Sequence, residues 1–227
     1  MDNKVYYPIF LDLSGKRCVV VGGGRVAERK CSTLIKTGAR ITVISPNITK
    51  RLKDYREKGL IRHIPRGYRS GDIKTAFIVI AATDSGETNQ KVAKEVLAAG
   101  KLLNVVDVPS LCNFIVPSVL RRGLLTIAIS TGGASPALAK AIRKELQRLY
   151  GREYSRYLDR LRDIRLKVMK EIPDKREREK FLKGLAASVK KGKKVQIFIF
   201  GSKFKNNFQK TQKFFKIVIG QNINAGP

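Results

Sequence analysis

The sequence predicts an α/β protein built on a doubly wound parallel sheet and followed by a small helical domain. Three observations carry that prediction. Short apolar runs, RCVVV at 17–21, RITVI at 40–44 and AFIVIA at 76–81, alternate with helical stretches. Glycines close those stretches at Gly38, Gly59 and Gly100. The run at 76–81 is almost uninterrupted, as suits a strand covered on both faces.

In chain order, 17–21 is a buried strand and Val26 to Thr37 a helix. A second strand spans 40–44 and a second helix Ile48 to Lys58. LIRHI at 60–64 is a third strand, 76–81 a fourth, Glu87 to Ala99 a helix, and LLNVV at 102–106 a fifth strand. The rhythm then changes. Residues 113–130 hold two β-rich stretches, FIVPSVL and LLTIAIS, around a turn expected at Arg121-Arg122-Gly123. In TGGASPALAKAIRKELQRLYG, Ser135 is placed to cap a helix that Pro136 starts. From Arg152 to about Lys190 the pattern is helical, charged and broken by Pro173. Leu158, Leu161, Ile164, Leu166 and Val168 form its expected apolar stripe. Residues 191–227 carry eight lysines and no acid, interleaved with phenylalanines.

The formal net charge is +29. Such a field attracts polyanions. Nucleic acid is one reading, and the basic, Phe-rich tail would suit single strands. A small substrate with many carboxylates is a second, and a solvated lysine-rich surface a third. No apolar run is long enough to span a membrane, and the first residues lack the pattern of a signal peptide. Cys18, Cys31 and Cys112 follow neither a disulfide framework nor a zinc spacing, and are read as reduced thiols of a cytoplasmic protein. No Cys/His/Asp cluster marks a metal site. His63, the only histidine, sits in a strand and reads as structural.

VVVGGGRVAERK at 19–30 holds the chemistry. Gly22-x-Gly24-x-x-Ala27 lies between a strand and a helix, which is the dinucleotide-binding fingerprint of a Rossmann-type sheet. Gly22 allows the turn, Gly24 lets a pyrophosphate approach, and Ala27 lets the helix pack close. The helix start then offers free N–H groups to the phosphates. No Asp or Glu ends the second strand, where Ile44-Ser45-Pro46-Asn47 stands instead. Ser45 and Asn47 suit ribose hydroxyls; Lys50 and Arg51 suit a 2′-phosphate. NAD and NADP both stay open on these residues. AATDSGETN at 81–89 follows the fourth strand. Asp107 follows the fifth, expected to be a central strand, at the sheet end where ligands bind. A carboxylate there suits a general base; the other reading is a turn former.

YYPIFLDLSGKRCVVVGGGRVAERK, AATDSGETN, NVVDVPSLCNFIVPS and ISTGGASPALAKAIRKEL together resemble the precorrin-2 dehydrogenase family, which includes the N-terminal part of sirohaem synthase. The resemblance covers about residues 6–150 closely and 151–190 loosely. It implies NAD-dependent oxidation of precorrin-2 to sirohydrochlorin, with iron insertion as a second activity in some members. It implies an NAD-binding Rossmann domain at 1–112, a dimerisation segment at 113–150 and a helical module at 151–190, and hence a homodimer. Residues 191–227 match nothing in it. By this resemblance Gly22, Gly24, Arg25, Val26, Pro46, Asn47 and Thr83 contact NAD, and Asp107 is the catalytic aspartate. Ser130, Thr131 and Ser135 frame the tetrapyrrole, whose acetate and propionate arms would be met by Arg121, Arg122 and Arg143. The expected partners are thus a tetrapyrrole and a second copy of the chain, with no membrane and no nucleic acid. An NAD-sensing regulatory module is the alternative from another class; it needs the glycine loop but not NVVD or STGGASP.

Overall fold

The structure, a computed structural model, describes residues 4–189 and the side chains of residues 4–185. The tail at 191–227 lies outside the described residues. Residues divide into two units. Among the described residues the first runs to 121 and takes in 126–150, and the second is 122–125 with the residues from 151 onward.

The first unit holds a five-stranded parallel sheet of β1 (Arg17–Val21), β2 (Arg40–Ile44), β3 (Ile61–Ile64), β4 (Ile78–Ala81) and β5 (Leu102–Val105). The spatial order is β3-β2-β1-β4-β5, with every pair parallel. This is the expected Rossmann-type arrangement. The strand order reverses between β1 and β4, which opens a crevice at the C-terminal ends of those two strands. β5 is an edge strand, which corrects the expectation that Asp107 follows a central one. Strand order is a long-range property, and local patterning of a buried run does not report it.

Helices α1 (Arg25–Ile35) and α2 (Lys50–Glu57) connect β1 to β2 and β2 to β3; α3 (Gly86–Ala98) connects β4 to β5. Period-2 alternation divides the sheet's side chains into two cores. Cys18, Val20, Ile41 and Val43 pack with Ala27, Cys31, Leu34 and Leu52 from α1 and α2. Val19, Val21, Ile44 and Val79 pack with Val92 and Val96 of α3. Ile78 to Ala81 are all buried, as a strand covered on both faces requires. The strand starts at Ile78 rather than Ala76; the Phe77 N–H still donates to the Arg17 carbonyl of β1 at 2.8 Å, and its ring lies under Lys16.

No helix joins β3 to β4. Residues 65–77 cross in turns. Arg66 and Asp72 form a bidentate pair at 2.7 and 2.8 Å. Glu95 of α3 accepts from Tyr68 Oη at 2.5 Å and from the Gly71 N–H at 2.9 Å. Ile73 plugs this crossover into the α3 core.

The hairpin of β6 (Ser118–Arg122) and β7 (Leu125–Ile129) follows. Arg121 and Arg122 are strand residues, so the expected turn moves to Gly123-Leu124. Gly123 has φ +57°, which a two-residue hairpin loop requires at its first position. Then comes α4 (Pro136–Leu149). Ser135 Oγ accepts from the Leu138 N–H at 3.1 Å, which is the predicted cap.

The second unit contains α5 (Glu153–Glu171) and α6 (Lys175–Val189), separated around Pro173. Ile164, Val168 and Leu185 form its core, with Leu161 partly buried. Leu166 does not join the stripe and is 64% exposed. It stands two residues from both Ile164 and Val168, which turns it to the other side of a 3.6-residue helix.

Candidate dinucleotide site at the sheet crevice

Three backbone segments meet where β1 and β4 end. Gly22 has φ +119°, and a β-carbon there would overlap the Ala82 carbonyl oxygen, with the carbonyl carbon 2.7 Å away. The Ala82 N–H donates to the Val21 carbonyl at 2.8 Å. A β-carbon at Gly23 would overlap the Asn47 carbonyl oxygen, with Ser45 Oγ 2.8 Å away. The glycine loop is thus clamped between the 82–83 segment and the 45–47 segment. Gly24 differs: a β-carbon there meets nothing within 4 Å.

That open space stands at the start of α1. Gly24 is its N-cap and supplies no side-chain hydrogen bond. Within the same unit α2, α3 and α4 are capped by Thr49, Ser85 and Ser135. The first N–H groups of α1, on Arg25 and Val26, therefore face the crevice mouth without a capping side chain. Free N–H groups, a partial positive charge and room over Gly24 fit a pyrophosphate. Ala27 is fully buried and lets α1 lie against the sheet.

The 45–47 segment is built by local bonds. Ser45 Oγ donates to the Asn47 carbonyl at 2.7 Å. His63 Nε2 lies 2.8 Å from the Ser45 carbonyl, which can only accept, so Nε2 carries the proton. The lone histidine is a prop for this loop. Pro46 and Asn47 stay exposed at the rim. Arg51 is engaged with Tyr55 Oη at 2.8 Å and with Glu28 at 3.8 Å. It is therefore less free for a 2′-phosphate than the sequence suggests. Thr83 Oγ1 donates within the 83–89 turn, to the Ser85 carbonyl and Asn89 Oδ1, both at 3.1 Å. The buried Asn89 donates back to the Thr83 carbonyl at 3.0 Å.

Asp107 follows β5, beside β4, at the same end of the sheet. It has φ +61°, the only positive φ outside glycine among the described residues, and its side chain is exposed. The loop behind it folds back on β5. Leu103 N–H donates to Asn113 Oδ1 at 2.7 Å, and Asn113 N–H to the Leu103 carbonyl at 3.2 Å. Asn113 Nδ2 donates to the Lys101 carbonyl at 2.7 Å. Buried Cys112 Sγ lies 3.2 Å from both the N–H and the carbonyl of Val105. Buried Asn104 donates to the Phe114 carbonyl at 3.2 Å and accepts from Lys30 Nζ of α1 at 3.2 Å. Burial lowers the pKa of the Lys30 ammonium and neighbouring Arg29 adds to this; Cys112 and Asp107 pull the other way. Lys30 thus links the dinucleotide helix to the loop of Asp107.

Neither the glycine fingerprint nor the family resemblance assigns a role to Gly23, Lys30, Asn104 or Asn113. For Lys30 a signal existed: it follows Ala27 by three residues and so falls beside the buried stripe of Ala27, Cys31 and Leu34, where a lysine needs a reason. Gly23 left no signal, because only the fold brings Asn47 against it.

The remaining predicted residues form a turn and a helix face. Ser130 Oγ accepts from the Gly132 N–H at 3.1 Å, and Thr131 Oγ1 from the Ser135 N–H at 3.0 Å. Gly132 and Gly133 take φ of +63° and +95°. The hydroxyls shape this turn first. Arg143 lies two turns along α4 and donates to Gln147 at 3.0 Å. Arg121 and Arg122 occupy β6. Among the described residues no cluster of metal-binding side chains occurs, and no helix is long and apolar enough to cross a membrane.

Residues 9–118 match the family described as putative NAD(P)-binding, and residues 122–149 match the sirohaem biosynthesis protein central family. The chain belongs to the family of precorrin-2 dehydrogenase and sirohaem synthase. A siroheme synthase of Thioalkalivibrio sulfidiphilus is 38% identical over 196 residues, covering 86% of this chain and 39% of its own length. One from Methylobacillus flagellatus is 43% identical over 149 residues, covering 66% and 32%. The chain therefore spans about two fifths or less of these relatives. A solved precorrin-2 dehydrogenase, SirC, superposes with a TM-score of 0.71 at 27% identity, over 94% of this chain and 98% of that one. Family membership makes the glycine-loop unit an NAD(P)-binding domain.

Proposed function

We propose that the chain oxidises precorrin-2 to sirohydrochlorin with NAD⁺, and that Asp107 removes the proton. The observation that carries this is the placement of Asp107. It is an exposed carboxylate on a left-handed backbone, at the crevice end of the strand beside β4. The siroheme synthases and the precorrin-2 dehydrogenase it resembles support the substrate.

The residues divide the work as follows. The N–H groups of Arg25 and Val26 and the open face of Gly24 hold the pyrophosphate. Pro46 and Asn47 border the adenosine ribose, and the lack of an acid there leaves its hydroxyls to polar contacts. The Gly22–Ala82 clamp keeps Thr83 and the β4 end close to the nicotinamide side. When bound, NAD⁺ supplies the hydride acceptor. The macrocycle loses one hydride and one proton, and Asp107 takes the proton. An exposed carboxylate at a crevice mouth returns that proton to water after turnover. The substrate's carboxylate arms need cationic partners; Arg121, Arg122 and Arg143 are proposed for them, with Ser130, Thr131 and Ser135 shaping the loop at the start of α4. A homodimer through 113–150 is part of the same proposal, supported by exposed Val116, Val119 and Leu138 in that segment. The proposed setting is the cytoplasm, and the proposed division of the chain remains 1–112, 113–150 and 151–190.

The test is an anaerobic assay of precorrin-2 with NAD⁺, with and without Fe²⁺, on wild type and Asp107→Asn. Asparagine suits the replacement because it tolerates left-handed backbone, whereas alanine at φ +61° adds a cost of about 1–2 kcal/mol. Loss of a positioned base lowers turnover about 10²–10⁴-fold, with NAD⁺ affinity and Tm unchanged. Near-normal turnover of Asp107→Asn would refute the assignment. Sirohaem formed in the Fe²⁺ arm would add iron insertion to the activity.

A further inference from the structure

A second cleft opens on the first unit, at the opposite end of the sheet. It measures about 490 Å³ and is lined by Arg17, Arg40 and Arg62, with Thr42 and Thr75 among the other residues. No acid lines it. Its origin lies in the topology. Arg17, Arg40, Thr42 and Arg62 alternate onto the sheet face that α3 covers farther along. Over β2 and β3 a crossover helix would cover that face, but 65–77 crosses in turns and leaves it open.

The arginines are placed against each other. Arg17 and Arg40 are direct partners in the β1–β2 register, so their Cα atoms stand one strand spacing apart, about 4.8 Å. Arg62 pairs with Thr42, one strand farther and two residues on. All three are exposed, and among the described residues none of their side chains has a hydrogen bond or an ion pair. Three cations thus share one cleft that no acid lines, and like charges repel even at high dielectric. The same guanidinium forks converge well on phosphate or carboxylate oxygens. Two threonine hydroxyls at the cleft add neutral donors. The volume lies in the range of small-molecule sites, about 300–1,000 Å³.

We propose that this cleft binds a small polyanion carrying three or more charges on phosphate or carboxylate groups. It is separate from the dinucleotide crevice. Five-residue β1 and β2 have Arg17 and Arg40 at one end and the 22–24 and 45–47 loops just past the other, so the two sites lie roughly 16 Å apart. The concave shape favours a compact anion over an extended polymer.

The test is thermal unfolding at constant ionic strength, titrated with tripolyphosphate in one arm and citrate in the other, each with and without saturating NAD⁺. Wild type shows a saturable rise in Tm with one of the two probes, and the responding arm tells phosphate from carboxylate chemistry. Arg40→Gln starts from a higher Tm in chloride alone, because repulsion is relieved, and needs at least tenfold more probe. Arg62→Gln repeats the comparison should Arg40→Gln fold poorly. Lys94→Gln removes the same charge from the exposed face of α3 and leaves the titration unchanged. Three results would overturn the proposal: no saturation with either probe, equal weakening by Lys94→Gln, or displacement of the probe by NAD⁺. The first two assign the effect to the diffuse field of the chain; the third places the anion at Gly24. Failure of NAD⁺ to bind would sink the dehydrogenase reading and leave this one standing.

Discussion

Single alanine substitutions at Gly22, Gly23 and Gly24 separate packing from ligand binding within three consecutive residues. At Gly24 the backbone has φ −80° and ψ −173°, which any residue adopts, and an added methyl meets nothing. Gly24→Ala should therefore cost at most about 1 kcal/mol: alanine caps a helix less well than glycine, and the stiffer unfolded chain offsets part of that. At Gly23 the methyl would overlap the Asn47 carbonyl oxygen, which Ser45 Oγ holds at 2.7 Å. The loop must shift, and overpacking of this kind costs about 1–3 kcal/mol. At Gly22 the overlap with Ala82 adds to a φ of +119°, so the total is on the order of 2–5 kcal/mol. For a protein of this length each kcal/mol moves Tm by roughly 2–4 °C. The expected order of Tm is Gly24→Ala nearest to wild type, then Gly23→Ala, then Gly22→Ala. Calorimetric titration with NAD⁺ should single out Gly24→Ala: the methyl stands in the proposed pyrophosphate site, and a tenfold loss corresponds to about 1.4 kcal/mol. A stable Gly24→Ala that binds NAD⁺ like wild type would refute the placement of the pyrophosphate. A Gly24→Ala that melts as early as Gly23→Ala would refute the geometry of the loop.

Two further outcomes concern stability. Arg66 holds the pKa of Asp72 below its ordinary value, aided by the Arg69 N–H and against a smaller effect of burial. A depressed folded-state pKa contributes stability that is complete above the unfolded value and vanishes as pH falls through the folded one. Asp72→Asn should thus lower Tm at pH 7, and the difference from wild type should shrink steadily below about pH 4; a constant difference down to pH 2 would contradict the pairing. Tyr157 Oη is buried without a hydrogen-bond partner among the described residues. Tyr157→Phe should therefore raise the urea midpoint, by about 1 kcal/mol or more in free energy.

The local part of this fold was legible and the long-range part was not. Strand runs, the Ser135 cap and the roles of Gly22 and Ala27 follow from rules that act over a few residues, and the structure agrees with them. That β5 lies at the edge, or that Gly23 needs to be glycine, depends on which distant segment arrives next to it. Arg121-Arg122-Gly123 shows an intermediate case. Its glycine correctly marks a tight loop, but a two-residue hairpin places that glycine first, so the arginines belong to the strand. At the candidate site, Asp107 was legible from its position after an apolar run. Its left-handed backbone was not, nor was the reach of Lys30 to Asn104, because neither leaves a period in the sequence.

The loop of residues 106–114 has a second consequence. Edge strands offer unpaired N–H and C=O groups to any extended chain, and proteins must blunt them to avoid aggregation. Here Asn113 and Cys112 bond to the free side of β5, so the segment that presents Asp107 also covers that edge of the sheet. Solubility and the aim of the carboxylate then rest on the same few contacts. A change that loosens the loop to re-aim Asp107 would also uncover a template for intermolecular strand pairing. The loop is thereby held in place by two unrelated requirements, and variants selected only for staying in solution would tend to keep the geometry of the site.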